Sequence, residues 1–73
     1  MDYDQFYEKL GKRIKFLREQ LGLSQEKFAE KAGISLDFLG KIEVCINKPG
    51  IRSILKIANA LDVTVSELTK FDE

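Results

Sequence analysis

Phe6, Leu10, Ile14, Leu17 and Leu21 recur at spacings of four, four, three and four, which places them on one stripe of a helix. Lys9, Lys12, Arg13, Lys15 and Glu19 fall elsewhere on the same helix. Gly22 follows the last stripe residue and suits a left-handed helix stop, since glycine takes positive φ without steric cost. Ser24, Ser35 and Thr64 then read as N-caps, whose hydroxyls can accept from an orphan amide of the first turn. Leu23 with Phe28, Ile34 with Leu39, and Val63 with Leu68 flank them as hydrophobic staples. Thr64 alone is expected to have a full capping box, through Glu67. The signals predict helices over residues 25–32, 36–43 and 65–70, with Gly33 breaking the first of these from the second. Residues 44–49 carry no helical stripe. Pro49-Gly50 then punctuates the chain before Ile51, Ile54, Leu55, Ala58 and Leu61 resume a helical period. No alternating β-branched run bounded by turns is present, so no strand is predicted.

Composition narrows what such a set of helices can be. The 73 residues, 44% apolar and 33% charged, predict one folded domain over 1–73. A domain of this size buries only about 60% of its unfolded surface, so a stabilising interface with a second copy is expected. With no His and a single Cys, the chain offers no usual zinc site, no Cys-His nucleophile pair and no internal disulfide. The start, Met1-Asp2-Tyr3-Asp4, is acidic where a signal peptide is basic, and the longest apolar run is Val44-Cys45-Ile46. The chain therefore reads as a soluble cytoplasmic protein with no membrane partner. No phosphate-binding or dinucleotide glycine loop is present, and the chain is short for a substrate pocket. Neither enzymatic activity, a small-molecule substrate nor a cofactor is expected.

Twelve basic and twelve acidic residues cancel, but unevenly along the chain. Asp2, Asp4 and Glu8 make the first eight residues acidic, and Asp62, Glu67, Asp72 and Glu73 against Lys70 do the same for the last seventeen. Residues 9–56 hold eleven Lys and Arg against Glu19, Glu26, Glu30, Asp37 and Glu43. A basic body between acidic ends suits a one-sided DNA surface, and equally a solvated charge face.

Two short helices joined at Gly33, spanning about 24–43, have the dimensions of a helix-turn-helix, in which the second helix enters the major groove. Ala29 is small where the helices must approach, and Phe28, Ile34, Leu39 and Ile42 supply inward positions. A longer set of residues carries a family resemblance. It comprises Leu17-Arg18, Gly22-Leu23-Ser24-Gln25-Glu26, Phe28-Ala29, Ala32-Gly33-Ile34-Ser35, Ile42-Glu43, Pro49, Ile57-Ala58, Ala60-Leu61, Val63 and Glu67-Leu68. In order and spacing it resembles the lambda-repressor/Cro-like (XRE-type) DNA-binding domain over about residues 10–69. The small controller proteins of restriction-modification systems are similar too. The resemblance implies a compact, all-α, five-helix fold and a dimeric transcriptional regulator acting on a pseudo-palindromic operator in double-stranded DNA. It also implies that Arg18 and Glu43 form a buried structural ion pair. Two departures stand out: Val44 and Cys45 replace the usual basic residue and Gly, so the loop before the fourth helix is expected to differ. The stretch Ser35-Leu36-Asp37-Phe38-Leu39-Gly40-Lys41 lacks the Gln, Asn or Arg that often read base edges.

Candidate DNA-binding residues follow from side-chain chemistry and the resemblance together. Gln25 opens the second helix, where relatives use a Gln to touch phosphate or to support the recognition helix. Ser35 begins that helix, Lys41 is placed for a base edge or phosphate, Asp37 for a cytosine amine and Leu36 for a thymine methyl. Gly40 weakens the helix by roughly 0.5–1 kcal/mol relative to Ala, which suggests close approach of its backbone to something, or simple drift. Lys48 and Arg52, with the amides near Gly50 and Ile51, form a candidate phosphate clamp. Cys45, with no second thiol, reads as an inert small residue. Tyr3 and Tyr7 are expected in an amino-terminal arm, Phe16 lies off the stripe, and Phe71 follows the last helix. These aromatics either cover the core or meet a second subunit; Leu68 and Phe71 are the candidates for the dimer contact. The rival reading is an antitoxin-like or scaffold module that binds a protein through the same fold.

Overall fold

A computed structural model describes residues 1–71 and, among them, five helices and no strand. They are α1 (Tyr3–Gln20), α2 (Gln25–Ala32), α3 (Leu36–Glu43), α4 (Ile51–Leu61) and α5 (Val65–Leu68). Asp72 and Glu73, counted above in the acidic carboxyl end, lie outside the described residues.

The apolar stripes meet in one core. Leu10 and Ile14 of α1, Phe28 of α2, Leu39 and Ile42 of α3, Ile57 of α4 and Leu68 of α5 are all essentially fully buried. Each such side chain contributes about 1.5–3 kcal/mol through removal from water. α1 packs against α3, α4 and α5, while α2 packs against α3 and α4, so α3 is braced from both sides.

The helix starts follow the cap residues. Ser24 accepts from the Lys27 amide, Ser35 from the Phe38 amide and Thr64 from the Glu67 amide. Asp2 provides an N-cap that sequence reading passed over: its carboxylate accepts from the Gln5 amide while the Gln5 side chain accepts from the Asp2 amide. Thr64 is thus not alone in having a capping box, and Tyr3 and Tyr7 belong to α1 rather than to a loose arm. α5 is shorter than expected, ending at Leu68.

The stops share one device. At the ends of α1, α2, α3 and α4, an amide reaches back to the carbonyl five residues earlier: Leu23 to Arg18, Ile34 to Ala29, Ile46 to Lys41 and Val63 to Ala58. The residues that make these bends left-handed are Gly22, Gly33, Cys45 and Asp62, with φ of 72°, 73°, 66° and 61°. Asp tolerates this region through its short polar side chain, whereas Cys has no such compensation. The turn after α3 therefore keeps the glycine-type conformation although Cys45 occupies it.

Gly11 sets how closely α1 approaches that turn. A Cβ built there would lie 2.5 Å from the Ile42 carbonyl oxygen and 3.3 Å from Cys45 Sγ. Gly40 differs, since a Cβ on it would meet nothing within 4 Å. The packing within the chain does not require it to be glycine.

Candidate nucleic-acid interface

α3 is fixed from beneath by a polar cluster that the core encloses. Arg18 Nε donates to Glu43 Oε2 at 2.8 Å and Nη2 to Glu43 Oε1 at 3.0 Å, a bidentate pair whose side chains are only 8% and 2% exposed. Arg18 Nη1 donates to the Leu23 carbonyl at 2.8 Å, and Gln25 Nε2 donates to Glu43 Oε1 at 2.9 Å. These bonds tie the end of α1, the start of α2 and the end of α3 into one unit. Hydrogen bonding to Glu43 favours the charged form of Arg18 and raises its pKa further. Gln25, half-buried, is thereby placed as a support for α3.

On the outward side of α3, Leu36, Asp37 and Lys41 are exposed; Asp37 and Lys41, four residues apart, share a face, and Leu36 lies about 100° round the helix from Asp37. Lys41 Nζ lies 3.1 Å from Asp37 Oδ2, so the helix's one cation is locally partnered. Gly40, half-buried, leaves a bare stretch of helix beside them. Ser35 spends its hydroxyl on the N-cap bond. Phe38 is half-buried and packs against the core.

The start of α4 offers open amides. Gly50 is an N-cap without a side chain to satisfy them, and the first turn of α4 holds no acid. Arg52 is exposed in this turn and makes no ion pair among the described residues. Lys48, two residues before the cap, is engaged elsewhere: its Nζ lies 2.7 Å from Asp4 Oδ1 at the start of α1. That hydrogen bond and charge hold the Asp4 carboxyl below its ordinary range and the Lys48 ammonium above its own. Lys48 and Arg52 are thus neighbours in sequence but differ in freedom. The Asp4 contact has no local sequence signal, because the two residues are 44 positions apart.

The aromatic and apolar surface also sorts itself. Leu68 is 0% exposed and belongs to the core, so it is unavailable as a dimer contact. Phe71 packs on Phe6, with ring centroids 5.6 Å apart and an edge-on geometry. α4 instead exposes Ile51 (66%) and Leu55 (47%), one turn apart. No helix among the described residues is long and apolar enough to cross a membrane.

A helix-turn-helix family model matches residues 14–68. SinR of Bacillus subtilis, an HTH-type transcriptional regulator, is 38% identical over 60 residues, covering 81% of this chain and 54% of SinR. YazB of the same organism, an uncharacterized HTH-type transcriptional regulator, is 38% identical over 58 residues, covering 80% of this chain and 84% of YazB. The crystal structure of the restriction-modification controller protein C.AhdI from Aeromonas hydrophila is similar with a TM-score of 0.82 and 37% identity. That match covers 85% of this chain and 94% of the controller. The chain spans about half the length of SinR.

Proposed function

The chain belongs to the helix-turn-helix family of transcriptional regulators, and from that premise we propose that it binds a specific pseudo-palindromic DNA operator as a homodimer. The observation that carries the reading is α3 itself: Leu36, Asp37 and Lys41 exposed on a helix anchored by the buried Arg18 and Glu43 pair with Gln25 beside it. Anchoring matters because reading base edges needs side chains delivered at fixed positions, and a loose helix would lose that register. Lys41 reaches a base edge or phosphate, Asp37 accepts from a cytosine amine, and Leu36 meets a thymine methyl. Ser35 and Gly40 line the approach. Arg52, Lys48 and the open amides at Gly50 and Ile51 grip the backbone, which fixes register but reads no sequence. Gln25 supports α3 through its bond to Glu43 and, in this reading, offers its second amide hydrogen to a flanking phosphate.

Phe16, Val44 and Ile46 are also exposed, but Ile51 and Leu55 are the surface we assign to the second copy, because they stand one turn apart on a single helix. Two recognition helices would then meet half-sites about 34 Å apart. Nothing in this reading calls for a cofactor or a catalytic step, and its place of action is the cytoplasm.

The test is a set of binding titrations over several salt concentrations, on a selected operator and a scrambled duplex. Lys41→Ala is expected to cost ~1–3 kcal/mol mainly on the operator, while Arg52→Gln weakens both duplexes alike and lowers the salt slope by about one. Equal losses on both duplexes for Lys41→Ala would remove α3 as the reader. A second reading, a module that binds a protein instead of DNA, is favoured by the zero net charge and by the carboxylates that partner Lys41 and Lys48. Absence of binding to any duplex by the parent chain would select it.

A further inference from the structure

The acidic start of the chain lies against the segment that leads into α4, and it is held there on both sides. α1 begins at a capping box formed by Asp2 and Gln5, which fixes Asp4 within the first turn. The loop is fixed in turn by Cys45, whose Sγ lies 3.7 Å from the carbonyl oxygens of both Tyr7 and Glu8, and by the close passage of Gly11 beneath the Ile42 carbonyl. Pro49, fully buried, anchors the chain directly after Lys48. The pair of Asp4 with Lys48 therefore joins two rigid parts of the frame. It differs from Lys12 with Glu8 and Lys41 with Asp37, which are one-turn neighbours on a single helix.

Lys48 stands two residues before Gly50, the N-cap of α4, which has no side chain to satisfy the first amides, and these open amides with Arg52 already favour an anion. A phosphate of bound DNA would have to share Lys48 with a carboxylate 2.7 Å away. We propose that Asp4 is a positioning residue that competes with DNA phosphate for Lys48 and so damps the sequence-independent part of binding. This rests on the DNA-binding reading above. Both side chains are exposed, so water and salt screen the contact, and its grip on Lys48 is modest. The release of an exposed pair of this kind changes an equilibrium by about two- to fivefold.

Asp4→Asn is the direct perturbation, since it keeps the side-chain shape and leaves the Asp2 and Gln5 cap in place. Binding of a short scrambled duplex is followed by fluorescence anisotropy over a series of salt concentrations. The expected result is about two- to fivefold tighter binding near physiological salt, with a salt dependence steeper by up to about one phosphate equivalent. The gain should vanish when Lys48 is already Gln. Glu8→Gln removes the same charge from α1 without touching Lys48 and should leave affinity within the error of the parent. An unchanged or weaker Asp4→Asn, or an equal gain in the Lys48→Gln background, overturns the proposal while the parent still binds. If the parent binds no duplex, the functional reading falls and the proposal with it. Helical circular dichroism equal to the parent's separates these outcomes from a folding defect.

Discussion

Replacing Glu43 with Ala removes the acceptor for two of the three guanidinium contacts that Arg18 makes. The cation keeps only the Leu23 carbonyl, inside a site where its side chain is 8% exposed and cannot turn to water without opening the α1 to α3 junction. Breaking a buried pair by deleting one partner costs about 3–5 kcal/mol, because the surviving charge stays desolvated and unpaired. Gln25 adds little to that figure, since it is half-buried and can replace its Glu43 contact with water. For a domain of this size each kcal/mol lowers the melting temperature by roughly 4–8 °C, so the expected drop is at least ~12 °C. Against a total stability of about 5–15 kcal/mol, the loss leaves a thin core near the edge of folding. Thermal and urea unfolding followed by circular dichroism measure it. Converting both partners to apolar residues, Arg18→Met with Glu43→Leu, should recover most of the loss, as no charge is then left buried. A Glu43→Ala protein that melts within about 1 kcal/mol of the parent would refute the argument that this pair anchors α3.

Further substitutions probe other links between packing and function. Gly11→Ala forces a Cβ against the Ile42 carbonyl and should destabilise by about 1–3 kcal/mol in urea titrations; an unaffected midpoint would mean that α1 can back away freely. Cys45→Gly relieves a left-handed residue with no local compensation and should stabilise by roughly 1 kcal/mol; a loss would show that the Sγ contacts outweigh the backbone strain. Gly40→Ala should stabilise α3 by about 0.5–1 kcal/mol, since its Cβ meets nothing, yet weaken operator binding if DNA comes close to the bare helix; tighter binding would exclude that approach. Leu55→Asp should leave the fold intact and shift sedimentation to monomer, and a persistent dimer would move the interface off α4.

The elements that sequence reading located well are those governed by local chemistry. Ser24, Ser35 and Thr64 cap helices because a hydroxyl three residues before a free amide suffices, and Gly33 ends α2 because its backbone alone decides the bend. Contacts between distant segments were less legible. The apolar period of α1 is visible through Leu21 but does not mark its start, although Asp2 with Gln5 three residues on is itself a local capping signal. Leu68 was expected at a subunit contact since its position near the chain's end says nothing of the packing that buries it. The retention of a left-handed turn at Cys45 follows from tertiary closure between α1 and the end of α3, against local preference. Lys48 looked like a free phosphate ligand because nothing near it in sequence foretells Asp4.

Whether α3 reads base pairs is decided by selecting bound duplexes from a random pool. The expected outcome is enrichment of an inverted repeat whose half-site centres lie one helical turn apart, about 34 Å. Recovery of sequences no different from the starting pool, at salt low enough for the protein to stay bound, would contradict it.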